Sequence, residues 1–384
     1  MDNKMMLRAP AVPLITVDPY FSVWSNTDRL NDSNPVHWTG KPNTICGVVE
    51  IDGKDYRFMG TGGGEPLTQT SLDITTMTTT YTFEGAGIKL TARFFTPLFM
   101  DDLKIMTRPV SYLEVKAEPV DGSTHSLKLK LYASEELCLD KRDQYEVVTE
   151  TLDIDGVSAV RIGSKDQPVL EKKGDDIRID WGYFYMAAWC ADVRGYKCTD
   201  TNMNFVMLEK PFENKVLAVF AYDDVYSINY FGDKLKSVWN HDGKTIETAI
   251  REAFGDYDEL LKKAVEFDAK LWCDAVRAGG EKYAELLQLA YRQVIAAHKA
   301  VVDKDGELLF ISKECFSNGC AASVDVSYPS IPMFLIYNPE LVLGMMRPIF
   351  KYAASDDWKF DFAPHDAGQY PICLLYTSDA ADEL

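Results

Sequence analysis

Two short segments in the last third of the chain carry acidic side chains in settings that can support acid–base chemistry. "SVDVSYPS" places Asp325 between two valines, just before an expected helix entry. "APHDAGQYP" places His365 and Asp366 in a loop bracketed by prolines and a glycine, which holds polar side chains rigidly. Carboxylates can accept and donate protons during hydrolysis. Asp325 and Asp366 are therefore the candidate catalytic residues.

Each of these carboxylates also has a purely structural explanation, because Asp is common at helix starts and in turns. Asp325 can cap the helix instead of pointing into a cavity. Asp366 can close an Asx-turn instead of taking part in a site. The sequence leaves both alternatives open.

Side chains suited to holding a substrate lie in the same third of the chain. Ser317 and Asn318, in "CFSNGC", offer neutral donors for an amide or a sugar hydroxyl. Tyr328 and Trp358 can form an apolar wall, although core packing explains either residue more simply. Cys315 is a potential nucleophile, but no histidine near it in sequence is evident to activate it.

The sequence lacks the motifs of several other chemistries: GxSxG, HExxH, GxxxxGK[ST], and GxGxxG between a strand and a helix. "TGGGEP" is predicted to be a loop because no helix follows it. Cys315 and Cys320, in "CFSNGC", do not have common zinc spacing. The histidines are scattered, so we expect neither a metal site nor a cofactor. They are His37, His125, His241, His298 and His365.

Composition narrows the classes of partner. The formal net charge is -19 and the pI about 4.7, with acidic residues spread along 384 residues. Such a surface repels nucleic acid and anionic membranes, which leaves a small-molecule substrate as the expected partner. No secretory signal is visible, so we expect a cytoplasmic protein, or a secreted or periplasmic one if the N-terminus is incomplete.

Strand patterns dominate the chain up to about Tyr230. "HSLKLKLYAS" alternates Leu127, Leu129 and Leu131 with polar residues, the signal of a half-buried strand. "TYTFEGAGIKLTARFFT" predicts a hairpin with glycines in the turn. Many short strands without intervening helices favour an antiparallel β-sandwich.

Helical periodicity replaces this pattern over residues 245–302. "AGG" is expected to end one helix at Gly279, and "DKDG" the next at Gly306, which places His298 on a helix. A later helix should begin with Asn338 as N-cap and Pro339 at its first position.

Several long segments resemble the glutaminase A family: "LRAPAVPLITVDPYFSVWS", "AYDDVYSINYFG", "CFSNGCAASVDVSYPSIPMFLIYNPELVLGMMRPIF" and "FAPHDAGQYP". The resemblance covers residues 7–371. It implies an α+β multidomain protein, with an N-terminal antiparallel β-sandwich followed by an (α/α)6 six-hairpin toroid whose loops line a substrate pocket. The expected domains are a β segment at 1–75, the sandwich at 76–240 and the toroid at 241–372.

The toroid is expected to be incomplete, because too few helices fit after Thr245. A helix face carrying Leu341, Met345 and Ile349 should then be exposed. "CLLYTSDAADEL", residues 373–384, has no periodicity and does not continue the family pattern, so we interpret it as a non-native tail. This chain is expected to be inactive alone.

The resemblance implies hydrolysis of L-glutamine to L-glutamate and ammonia. Asp325 and Asp366 would share the acid and base work, while His365 orients one of them and contacts the substrate. Two alternatives stay open: a six-hairpin glycoside hydrolase that uses paired carboxylates, and a non-catalytic carbohydrate-binding or scaffold protein.

Overall fold

The computed structural model describes residues 8–373. These residues contain 21 β-strands and five α-helices. The first ten strands are β1 (Val12–Thr16), β2 (Ser22–Ser25), β3 (Ile45–Ile51), β4 (Lys54–Met59), β5 (Glu65–Pro66), β6 (Thr68–Ile74), β7 (Thr78–Gly85), β8 (Ile88–Phe95), β9 (Val110–Pro119) and β10 (Leu127–Ser134). The others are β11 (Val147–Ile154), β12 (Val157–Ser164), β13 (Tyr183–Trp189), β14 (Asp192–Lys197), β15 (Asn204–Phe212), β16 (Lys215–Asp223), β17 (Ile228–Tyr230), β18 (Asp233–Leu235), β19 (His298–Val302), β20 (Leu308–Ser312) and β21 (Ile372–Cys373). The helices are α1 (Leu103–Thr107), α2 (Ile246–Gly279), α3 (Glu281–Ala296), α4 (Val324–Tyr337) and α5 (Pro339–Ala353).

Two large sheets form the predicted sandwich. The eight-stranded sheet has the order β11-β12-β13-β16-β9-β8-β7-β6 with antiparallel neighbours throughout. The six-stranded sheet has the order β14-β15-β10-β3-β4-β5, and only its short β4–β5 pair is parallel. Leu131 and Phe220, one from each sheet, belong to the same buried cluster. The β-sandwich is confirmed.

Local patterns in the β region formed as predicted. Leu127, Leu129 and Leu131 are buried in β10, whereas the lysines between them are half-buried. β7 and β8 pair through the "EGAG" turn, where Ala86 and Gly87 take positive φ values of 48° and 77°. The loop prediction for "TGGGEP" also holds, except that its last two residues form β5.

The predicted domain boundaries remain predictions. Residues within 1–75 build β3, β4 and β5 into the six-stranded sheet and β6 into the eight-stranded sheet. Residues 374–384, most of the segment interpreted as a non-native tail, lie outside the described residues. Cys373, the first residue of that segment, is buried, and β21 pairs in parallel with β17.

The prediction of helix up to Val302 was wrong. α2 ends at Gly279 as expected, but α3 ends at Ala296 and is followed by the β19–β20 hairpin. "DKDG" is the turn of this hairpin, since Gly306 donates its N–H to the carbonyl of Asp303. His298 therefore begins a strand, where its ring stacks on Phe310 at 4.4 Å.

The helix pair α4–α5 confirms one prediction and corrects another. Asn338 caps α5 by accepting the N–H of Glu340, and Pro339 follows at the first helical position. The predicted exposure of Leu341, Met345 and Ile349 was wrong, because all three are buried on the face of α5 that lies against β20. Other apolar side chains of the two helices are exposed: Tyr328, Leu335, Ile336, Leu343 and Phe350.

Buried ion pairs fix the β19–β20 hairpin to the β-sandwich. The Lys299 ammonium lies 2.7 Å from Asp18 Oδ2 and 2.8 Å from Asp224 Oδ2. Because β20 leads directly into the loop that carries the candidate site residues, this anchor sets where the loop begins. Across residues 8–373, no helix is long and apolar enough to cross a membrane.

Candidate functional site

An imidazole lies between two carboxylates, bringing together the three residues that the sequence singled out. His365 Nδ1 lies 2.9 Å from Asp366 Oδ2, and His365 Nε2 lies 3.0 Å from Asp325 Oδ2. The Asp366 side chain is 2% exposed and the Asp325 side chain 72%. The group, called here the His365 centre, therefore runs from a buried carboxylate through a half-buried ring to an exposed one.

Backbone hydrogen bonds explain the position of Asp366. Its Oδ1 accepts the N–H of Gly368 at 2.7 Å, which is the Asx-turn considered from sequence. Ala367 donates its N–H to the carbonyl of Ala321, and Ala321 donates its own to Gly368. One carboxylate oxygen thus holds the turn while the other faces His365. The Asx-turn and a role in the site, which the sequence left as alternatives for Asp366, are therefore compatible.

Asp325 is not the cap of α4. The N-cap position belongs to Ser323, and Asp325 is in the first helical turn, where the partial positive charge of the helix N-terminus favours a carboxylate. Val324 donates its N–H to the carbonyl of His365 at 2.9 Å. This bond joins the start of α4 to the His365 loop and brings Asp325 to the ring.

Two opposing effects act on the pKa of His365. Partial burial lowers it, while the hydrogen bonds and charges of Asp366 and Asp325 raise it more, so the pKa lies above its usual value. Both ring nitrogens meet carboxylate oxygens, and only the doubly protonated imidazole can donate to both. The centre therefore favours a proton on His365.

The loop from β20 to α4 forms a second side of the site and is fixed to the β-sandwich. Lys313 donates from Nζ to the carbonyl of Gly174 at 2.7 Å, and Phe316 donates its N–H to Asp175 Oδ1 at 2.8 Å. Gly319 has a φ of 72°, and a Cβ there would lie 2.6 Å from the backbone of Gly174 and Asp175. Burial lowers the pKa of Lys313. A sandwich loop thus supports the site loop.

Two cysteines of this loop differ in surroundings. Cys315 is an exposed residue, but desolvation of its thiol raises the pKa to about 11, which argues against an activated nucleophile. Cys320 is buried close to Asp366 and Glu314, and burial together with these negative charges raises the pKa of its thiol. Both cysteines are free.

The predicted substrate-binding residues are only partly gathered here. Asn318 is exposed, and its Oδ1 accepts the N–H of Cys320 at 3.0 Å. Ser317 is exposed beside it. Tyr328 is 78% exposed, one turn along α4 from Asp325. Trp358 belongs to a separate aromatic cluster, where it packs edge-on against Tyr352 at 5.3 Å.

Sequence reasoning missed three residues of the site: Lys313, Glu314 and Cys320. The "KEC" tripeptide contains the first two, but no spacing marked them. Cys320 was noticed only for its separation from Cys315. Its significance comes from the antiparallel bridges of Lys313 with Ala321 and of Cys320 with Gln369, which only the fold shows.

Three family models match the sequence of this chain. Their order along the chain agrees with a β-sandwich followed by paired helices whose loops carry the His365 centre. The Glutaminase A six helical-hairpin domain matches residues 280–384, and two domains of unknown function, DUF5127 and DUF4964, match residues 77–210 with 196–274 and residues 1–67. The helical part is therefore of the six-hairpin class. The chain belongs to the glutaminase A family.

Two fungal proteins named as glutaminases match most of this chain. Glutaminase A of Aspergillus oryzae is 26% identical over 95% of this chain and 59% of its own length. A probable glutaminase of Arthroderma benhamiae is 22% identical over 98% of the chain and 51% of its own length. The chain thus spans a little over half of each relative. A bacterial glucoamylase complexed with acarbose aligns with a TM-score of 0.48 and 11% identity, covering 95% of this chain and 54% of that one.

Proposed function

We propose that the chain carries part of the active site of a hydrolase that converts L-glutamine and water to L-glutamate and ammonia. One observation carries this proposal: the His365 centre links a buried carboxylate to an exposed one through a single imidazole. The names of the two fungal relatives support glutamine as the substrate.

Each member of the centre has a role that follows from its exposure. Asp325, the exposed carboxylate, can reach a substrate and accept a proton from water. His365 holds Asp325 in position and shares its proton. Asp366 is buried behind the ring, so it acts as a positioning residue rather than as a group that touches the substrate.

The reaction is balanced with these groups. A water molecule gives one proton to the Asp325–His365 pair, and its hydroxide oxygen bonds to the side-chain amide carbon of glutamine. The tetrahedral intermediate then collapses, the C–N bond breaks, and the nitrogen takes the proton from the same pair and leaves as ammonia. Hydrogen-bond donors are needed for the oxygen of the intermediate. The amide of Asn318 and the hydroxyl of Ser317 are candidates for this role or for holding the substrate.

The expected substrate is a small polar molecule. Tyr328 lies one helical turn from Asp325 and offers an exposed aromatic face beside it. The net charge of -19 disfavours nucleic acid and anionic membranes as partners.

The test measures ammonia release from L-glutamine and sugar release from a panel of glycosides. It uses the 384-residue chain and the longest protein that its gene encodes, with Glutaminase A of Aspergillus oryzae as reference. Ammonia release without sugar release is the expected result. Sugar release without ammonia release would replace this proposal by glycoside hydrolysis, and neither product from either protein would refute both activities.

A further inference from the structure

Three side chains that can bind a metal converge beside the His365 centre. A carboxylate oxygen of Glu314, Sγ of Cys320 and a ring nitrogen of His365 all lie within 4.8 Å of one another. Cys320 is buried, and the other two are half-buried. The three residues come from the loop between β20 and α4 and from the loop before β21.

We propose that Glu314, Cys320 and His365 form a zinc site with three protein ligands. A set of one oxygen, one sulfur and one nitrogen is suited to Zn²⁺, whereas Ca²⁺ and Mg²⁺ require oxygen ligands. Three protein ligands leave one coordination position free for water or another small ligand.

A second observation points to a cation at this position. Oε2 of Glu314 is buried and has no hydrogen-bond partner among residues 8–373. Buried carboxylate oxygens in proteins normally have a partner. A metal ion coordinated by Glu314 would be that partner. Its positive charge would also offset the negative charge of Asp366, which acts on Cys320.

The backbone holds the three ligands in place without the metal. Glu314 donates its N–H to the carbonyl of Cys320 at 2.9 Å. Ala321, next to Cys320, donates to Gly368 at 2.6 Å, and Val324 donates to His365 at 2.9 Å. The loop that carries Glu314 and Cys320 is therefore tied directly to the loop that carries His365.

The carboxylates around His365 fit the usual surroundings of a metal-bound histidine. Zn²⁺ would replace the proton and the carboxylate hydrogen bond at one ring nitrogen, while the other nitrogen would keep its N–H and donate to its carboxylate, which fixes the ring orientation. Asp366 and Asp325 each already face one of the two nitrogens. The histidines are scattered in sequence, but this site needs only one of them, so their spacing could not indicate it.

The proposal does not depend on the reaction proposed above, because metal binding is measured without turnover. The 384-residue chain is freed of metal with a chelator under reducing conditions and titrated with Zn²⁺ against a chromophoric chelator. We expect each chain to bind one equivalent of Zn²⁺ tightly. Cys320→Ser and Glu314→Gln should each weaken binding at least about 10-fold, the lower limit for losing even a partner outside the ligand set.

Co²⁺ reports the sulfur ligand directly. The chain should show a thiolate-to-cobalt charge-transfer band that Cys320→Ser abolishes. Cys315→Ser, five positions earlier in the same loop, is the matched control and should keep the band. His125→Asn is a second control, since His125 also lies between two carboxylates, Asp52 and Asp121, but outside the proposed ligand set.

Three outcomes would overturn the site: no tight equivalent of Zn²⁺, a cobalt band that persists in Cys320→Ser, or affinity lost equally in the His125→Asn control. Circular dichroism checks the fold of every variant. If Cys320→Ser does not fold, Glu314→Gln decides, because it keeps the size of the side chain and removes only the charged ligand. Unchanged zinc affinity in Glu314→Gln would then refute the proposal.

Discussion

Asp325 and Asp366 hydrogen-bond to opposite nitrogens of the same imidazole, yet one carboxylate is exposed and the other buried. Because of this difference, Asp325 can contact a substrate, whereas Asp366 can only position His365. The same substitution at the two positions should therefore have different consequences.

Asp325→Asn should lower ammonia release by about 10²- to 10⁴-fold, because the amide cannot take a proton from water. Its thermal midpoint should stay near that of the parent, since an exposed residue in a first helical turn contributes little to stability. Turnover is measured in whichever form of the protein is active. Asp356→Asn, an exposed aspartate between α5 and the His365 loop, is the control and should keep full turnover. Parental turnover in Asp325→Asn would show that Asp325 is not the base.

Asp366 should respond differently to Asn and to Ala. Asn can still accept the N–H of Gly368, so Asp366→Asn should fold with little loss of stability. Asp366→Ala leaves that buried N–H without an acceptor, at a cost of about 1–3 kcal/mol. Urea unfolding measures the difference. Both variants should lose activity, because neither presents a carboxylate to His365. Equal stability of the two would mean that the turn does not depend on this side chain.

Gly319 tests the contact between the site loop and the β-sandwich. Gly319→Ala places a methyl group 2.6 Å from the backbone of Gly174 and Asp175 and also takes a left-handed conformation. Gly306→Ala is the matched control, because Gly306 also has a positive φ, 81°, but has nothing within 4 Å of an added Cβ. The control should lose only about 1–2 kcal/mol from backbone strain. Gly319→Ala should lose more, and equal losses in urea unfolding would show that the loops can separate freely.

Lys299→Met should destabilise the protein by about 3–5 kcal/mol, because it leaves Asp18 and Asp224 buried without their cation. Lys304→Met, an exposed lysine in the turn of the same hairpin, should change stability by less than about 1 kcal/mol. Urea unfolding at neutral pH makes this comparison.

The difference in stability between the parent and Lys299→Met should also depend on pH. Burial raises the pKa of Asp18, but Lys299 and two backbone N–H groups lower it more, so the net shift is downward. The stability from this pair is therefore fully present above the ordinary Asp pKa, near 4, and is lost as the pH falls below it. The gap between the parent and Lys299→Met should narrow over that range. A constant gap would mean that the ionised form of Asp18 is not what Lys299 stabilises.

Local signals in the sequence were sufficient for much of the fold. The alternation of Leu127, Leu129 and Leu131 predicted β10, and Asn338 with Pro339 predicted the start of α5, because each signal acts within one turn or one strand. The β19–β20 hairpin was missed since "HKAVV" follows a helix without a break, and only its pairing with "LLFIS" makes it a strand. Leu341 was expected to be exposed because too few helices follow Thr245 to close the toroid. Its burial against β20 depends on a contact between distant segments, which no local pattern shows.

The residues of the candidate site also differ in whether a local sequence pattern indicates them. His365, Asp366 and Asp325 stood out because short punctuated segments contain them. Glu314 and Cys320 did not, because what brings them to His365 is a set of backbone bonds between segments that are far apart in the chain. Contacts of this kind have no local signature.

The close approach of Gly319 to Gly174 and Asp175 has a practical consequence for protein engineering. A chimera that exchanges the helical part between family members at the predicted domain boundary near residue 240 would combine the site loop of one protein with the sandwich loop of another. The two loops would then meet with mismatched surfaces, even though each part could fold correctly. Successful exchanges should therefore transplant residues 174–176 together with residues 313–320, as one functional unit encoded in two places.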